Sequence, residues 1–198
     1  MKRLSAILLA LPLVLCGACS EEEETLPQQR ERIVSYLTAT HSPTLVDESE
    51  VDTESQQAFY TTLGNTVYRY IDNYYDPARP GRTEVTASSK VTITFRAYVF
   101  NFANITDSTF PFYSNDPLLK SAYEEMGLTS GAWSFEPLQI DMRSGNIIKG
   151  LRLALLGCRQ GDEVEAYMTY NMAYGDTNFS TIVRESPLAW FFTVDAVE

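Results

Sequence analysis

The groups that most often perform chemistry are scarce in this chain of 198 residues. It has one histidine, His41, in a polar stretch beside Pro43, and three cysteines, Cys16, Cys19 and Cys158. One stray histidine with no clustered ligands makes no metal constellation, and three cysteines make no disulfide framework. The informative stretch runs from Pro137 to Gly175. It contains Pro137-Leu138-Gln139-Ile140, Ile147-Ile148-Lys149-Gly150-Leu151, Gly161-Asp162-Glu163 and Met172-Ala173-Tyr174-Gly175. These residues offer apolar surface, one phenolic hydroxyl and backbone N–H groups.

Elements that must position them follow from periodicity. Leu138, Ile140 and Met142 fall on one face of a period-2 segment, and Ser144-Gly145-Asn146 turns the chain. Leu151, Leu155 and Cys158, joined by Ala154, recur at helical spacing, and Gly157 and Gly161 bracket the helix end. Val164, Ala166, Met168 and Tyr170 then alternate as a strand. Upstream, Val67–Ile71 alternates, and Val91, Ile93, Phe95, Ala97 and Val99 share one face of a longer strand. Asp116 caps and Pro117 opens a helix that Gly127 ends. Gln28–Leu37 forms a short helix with Ile33 and Leu37 on its apolar stripe, expected to rest on its own domain. Twelve tyrosines and ten phenylalanines favour strands over a helical bundle.

In that order the stretch resembles the FKBP-type peptidyl-prolyl cis-trans isomerases, whose signature runs P-F/L-x-F, V-I-x-G-W, a short helix, G-x-x-x-x-L-x-I and A-Y-G. Pro137 through Gly175 lies against it without a gap. The likeness extends from about Val67 to Glu198. Val91–Phe100 is similar to the family strand V-x-V-x-Y-x-G, and Trp190–Val197 to the last strand L-x-F-D-V-E-L, with Phe192 on its phenylalanine. The resemblance implies an α+β fold: a curved antiparallel sheet wrapped on one short helix, here with an N-terminal helical extension and an inserted helix at 116–127.

It also implies an activity, rotation about an X–Pro peptide bond. The planar amide is polar and its barrier is roughly 18–20 kcal/mol. Twisting breaks the resonance and reduces charge separation, so a dry apolar pocket that grips the twisted form speeds the exchange. The resemblance places Phe95, Ile148, Tyr174 and Phe192 as catalytic residues. Ile148 is expected to offer its backbone N–H, and Tyr174 its hydroxyl, to a substrate carbonyl. Leu138, Ile147 and Ile182 are expected to line the site with Phe110 or Phe112, over Leu151 as floor. Phe95 stands where the family has tyrosine, Leu151 where it has tryptophan, and no aspartate follows Phe110 or Phe112. No cofactor and no metal are expected. The partners implied are proline-containing peptides or unfolded exported proteins. A binding module with a weakened or inactive pocket is the alternative.

Met1-Lys2-Arg3 followed by the apolar run Ala6–Leu15 has the form of a secretory leader, too short to span a bilayer. Small residues precede Cys19, the pattern of a bacterial lipoprotein, which makes Cys19 the expected lipidation site; Cys16 is the competitor. Ser20-Glu21-Glu22-Glu23-Glu24 is a solvated, extended tether by charge repulsion. It also looks like the acidic export signal of Bacteroidota-type lipoproteins, implying an outer-membrane protein on the cell surface, with a periplasm-facing protein as the alternative. The expected organisation is a leader at 1–18, then tether, short helix and linker at 19–54, then the FKBP-like domain at 55–198. Net charge is −11, and −13 without Lys2 and Arg3, which argues against nucleic acid and electrostatic docking on anionic lipid.

Overall fold

A computed structural model of the chain describes residues 18–52, 54–127 and 134–198. Its strands are β1 (Val46–Asp47), β2 (Phe59–Leu63), β3 (Val67–Ile71), β4 (Lys90–Val99), β5 (Tyr113–Ser114), β6 (Leu138–Asp141), β7 (Glu163–Met168) and β8 (Leu188–Val197). The helices are α1 (Ala18–Ala39), α2 (Lys120–Glu125) and α3 (Lys149–Leu155). The strands form one sheet in the order β1-β2-β3-β7-β8-β4-β5, with β6 also on β4. Every pairing is antiparallel except β1 with β2.

β4 is the spine of the sheet. It pairs with β8 from Val91↔Val197 to Val99↔Leu188, with a register shift at Thr92/Ile93. Its other edge is shared: β6 takes Lys90 to Ile93, and β5 takes Arg96 and Ala97. The buried Asn115 side chain bridges the gap between those two partners. Its Oδ1 accepts from the Phe95 N–H at 2.7 Å, and its Nδ2 donates to Ile93 O and Glu136 O, each at 3.0 Å. The amide thus replaces ladder bonds that neither short strand supplies.

Both faces of the sheet are covered. Val91, Ile93, Phe95 and Ala97 enter the inner core with α3, as their alternation predicts. Val99, expected with them, is exposed, one step past the last inner-core residue of β4. The outer face carries Tyr68, Tyr70, Phe100 and Tyr167, onto which Ile33, Tyr36 and Leu37 of α1 pack. The N-terminal helix therefore builds a second core on its own domain.

That helix is longer than Gln28–Leu37. It begins at Ala18, so Cys19 falls in its first turn, and the acidic run read as an extended tether is helical. Glutamate is a good helix former and is favoured near a helix N-terminus by the macrodipole, and this outweighs the mutual repulsion of the four charges. The stretch 40–54, expected as a linker, contributes β1 and the buried Leu45. Residues 1–17, nearly all of the expected leader, lie outside the described residues.

α3 is held at its C-terminal end. Arg69 of β3 donates Nη1 to Ala154 O at 3.0 Å and Leu156 O at 2.6 Å, capping orphan carbonyls with a charge that complements the helix dipole. Gly157, at φ +77°, then ends the helix. Along its length the helix lies close on β7: a Cβ at Gly150 would clash with Met168 Sδ and stand 2.9 Å from Met172 O. The inserted helix takes the expected form, with Asp116 Oδ1 accepting from the Leu118 N–H at 2.8 Å and Pro117 opening its first turn.

Candidate active site

A cavity of about 580 Å³ opens between β6, the start of α3, the loop after β7 and the inner face of β8. Leu138 and Ile140 come from β6, Ile147, Ile148 and Leu151 from the helix start, Tyr174 and Phe179 from the loop, and Trp190 from β8. Gln139, Asp141, Ser144 and Asn146 give it a polar side. Asp141 accepts from Arg143 Nε and Nη2 at 3.0 and 2.9 Å, and these bonds pull its carboxyl down to about 2.

Several donors in this region have no partner among the described residues, the buried Nε1 of Trp190 included. Ile148 is the residue before α3, with extended backbone angles, and no acceptor among the described residues takes its N–H. The Tyr174 hydroxyl likewise bonds to no described residue. Burial raises its pKa, with the neighbouring Tyr113 adding to the effect, so it stays a protonated donor across the physiological range. An apolar hollow with unsatisfied donors on its walls fits a carbonyl-bearing, otherwise oily ligand.

Residues 122–195 match the family model of the FKBP-type peptidyl-prolyl cis-trans isomerases, a span that contains every residue lining the cavity. The chain carries an FKBP-type peptidyl-prolyl cis-trans isomerase domain. Its fold is similar to that of a peptidyl-prolyl cis-trans isomerase from Pseudomonas syringae pv. tomato, with a TM-score of 0.52 and 13% identity over 89% of this chain and 95% of that one. The three FKBP domains of wheat FKBP73 superpose with a TM-score of 0.51 and 13% identity, over 71% of this chain and 51% of that one. At such identities the likeness is one of fold. No curated protein matches the chain by sequence.

Within the FKBP-type domain, Leu138, Ile147, Ile148, Leu151 and Tyr174 come together around the cavity. Five other expected residues do not line it. Phe95 and Phe192 are cross-strand partners buried in the core, and Ile182 is buried beside them. Phe95 is screened by Trp190, whose ring stacks on it with centroids 4.7 Å apart and planes 27° from parallel. Phe112 is half-buried and reaches the site only through Tyr174, edge-on at 6.5 Å. Phe110 is 56% exposed and packs against Tyr123 of α2, away from the cavity.

Two aromatics that the sequence did not single out take their places. Trp190 stands opposite Ala97 on the inner face, where the small side chain leaves room for an indole. The FKBP-type domain thus has its tryptophan on the last strand, with leucine at the helix position where the family has it. Phe179 lies on Tyr174 at the mouth. The run Trp190-Phe191-Phe192 signals an aromatic strand, but alternation alone cannot say which ring meets a ligand.

Proposed function

We propose that this protein catalyses cis-trans isomerisation of X–Pro bonds in proline-containing peptides and in unfolded exported proteins. The observation that carries the reading is the pairing of an apolar cavity with the unpartnered Ile148 N–H and Tyr174 hydroxyl. The prolyl ring enters between Leu151, Trp190 and Ile147. A carbonyl next to the ring accepts from the Ile148 N–H, and the Tyr174 hydroxyl serves a second carbonyl. Twisting converts the polar planar amide into a less polar one, which the oily walls bind better than water does. No proton or bond is exchanged with the protein.

The anchoring is part of the same proposal: a leader at 1–18, lipidation of Cys19, and a domain at 55–198 displayed at the outer membrane, on the cell surface or facing the periplasm. With Cys19 in α1, the ten residues from the anchor to Gln29, a buried side chain of the helix, form a spacer of about 15 Å. Such a spacer holds the domain near the bilayer.

A proline-limited refolding assay tests the activity. Substoichiometric protein should accelerate the slow phase, and Tyr174→Ala should lose most of that acceleration. A slow phase unaffected by the wild-type protein rejects the enzyme. Binding of a proline peptide without acceleration supports a peptide-holding module instead. Replacement of Cys19 by serine should release the protein from the membrane fraction; retention rejects the anchor.

A further inference from the structure

The N-terminal helix lies outside the segment matched to the isomerase family, yet one of its side chains reaches the frame of the cavity loop. Gln29 is buried, at 7% exposure. Its Oε1 accepts from the Tyr170 N–H at 3.0 Å, and its Nε2 donates to Glu185 O at 2.9 Å. Tyr170 and Glu185 are the two feet of the loop that carries Tyr174 and Phe179. The ring of contacts closes within the loop: Glu185 N–H donates to Gly175 O at 2.9 Å, and Gly175 N–H to Tyr170 O at 2.9 Å. One primary amide from a distant helix thus satisfies a buried donor on one foot and an acceptor on the other, fixing their separation.

From this we infer that Gln29 is a positioning residue, and that α1 sets the placement of Tyr174 and Phe179 over the cavity. The inference rests on the isomerase reading for its functional consequence, and on geometry alone for the clamp. The bonds hold the feet and touch no part of the cavity wall, so their loss acts on how often the loop is in place. A ligand then finds a smaller fraction of competent protein, and its apparent affinity falls by that fraction while the saturated rate is kept. A residue that merely stabilises the fold produces no such split.

The test uses the full chain with Gln29→Met, which keeps volume and helix propensity and removes both hydrogen bonds. Ile33→Ala serves as the comparison, since it weakens packing of the same helix without touching the loop. Amide hydrogen exchange is followed across 170–187 together with kcat and KM on a proline peptide. The expected result is faster exchange at Tyr170 and through 174–185 in Gln29→Met, with KM raised about five- to tenfold and kcat within about twofold. Ile33→Ala should lower the Tm and leave KM within about twofold. Loop exchange in Gln29→Met equal to wild type overturns the clamp, and faster exchange with unchanged KM overturns its role in the site. A wild-type chain with no turnover defeats the isomerase reading instead, and the exchange comparison still decides the clamp.

Discussion

Phe179 lies flat on Tyr174, with ring centroids 4.1 Å apart and planes 6° from parallel. Tyr174 is bound to the fold at its backbone, where Gly175 N–H returns to Tyr170 O and Thr177 Oγ1 donates to Tyr174 O at 3.0 Å. Phe179 is 50% exposed, so its ring serves the mouth of the cavity more than the core. Aromatic pairs contribute about 0.5–1.5 kcal/mol beyond area burial. Phe179→Ala should therefore raise KM for a proline peptide about two- to tenfold with little change in Tm. Steady-state kinetics beside a thermal melt checks this.

Leu151 and Trp190 line one cavity from opposite elements. Restoring the family's tryptophan by Leu151→Trp alone should overfill the space and cost about 1–3 kcal/mol. Trp190→Leu alone should leave a void and cost about 2–4 kcal/mol. The two together exchange indole and leucine across the cavity, so their costs should fall short of additivity by about 1 kcal/mol or more. Denaturant unfolding of the two single variants and the double variant measures that coupling.

Arg69 reaches from β3 to the last carbonyls of α3. Hydrogen bonds from a charged donor contribute about 1.5–3 kcal/mol when partly buried. Arg69→Met should destabilise the protein by about that amount and speed amide exchange in α3 before the rest of the inner core. Equal acceleration in α3 and β4 would contradict a local cap.

His41 makes docking of the N-terminal segment depend on pH. Its Nε2 lies 3.0 Å from Glu165 Oε2 and its Nδ1 faces the Pro43 carbonyl, so both ring nitrogens meet acceptors and the doubly protonated ring fits. The rings of Tyr36, Tyr70 and Tyr167 enclose it, with Asp72 also nearby. Burial pulls its pKa down, but the Glu165 carboxylate and Pro43 carbonyl pull harder, and the net shift is upward from 6.5. A raised pKa contributes stability that is fully present below the unfolded value and lost as pH rises through the folded one. Wild-type Tm should fall on going from about pH 6 to above the folded pKa, and that His41-linked part of the fall should vanish in His41→Gln. A pH dependence identical in the two proteins would sink this assignment.

Much of this was legible in the chain. The alternation Val91, Ile93, Phe95, Ala97 gave the central strand, and Leu151, Ala154 and Leu155 gave the short helix. Asp116-Pro117 and Gly127 bounded the inserted helix. The second core was harder to see, because Tyr98 and Phe100 sit on the face that a half-buried strand leaves to water. In the fold Phe100 is buried with Ile33, Tyr36 and Leu37, and Tyr98 packs against Phe191. Phe95 and Phe192 followed the family register but lost the cavity to Trp190, an exchange of ring positions that spacing does not encode. Gln29 carried no signal at all, since a glutamine in a polar helix gains its partners only when the chain folds.

The central claim is that this cavity binds a prolyl amide and lowers its rotational barrier. Magnetisation exchange between the cis and trans resonances of a short X–Pro peptide measures that directly, against an uncatalysed exchange time of about 10–100 s. The account predicts rapid exchange at catalytic amounts of wild-type protein and a clear reduction with Tyr174→Phe, which removes the hydroxyl and keeps the ring. Exchange at the rate of free peptide, with the protein folded and its cavity open, would contradict it.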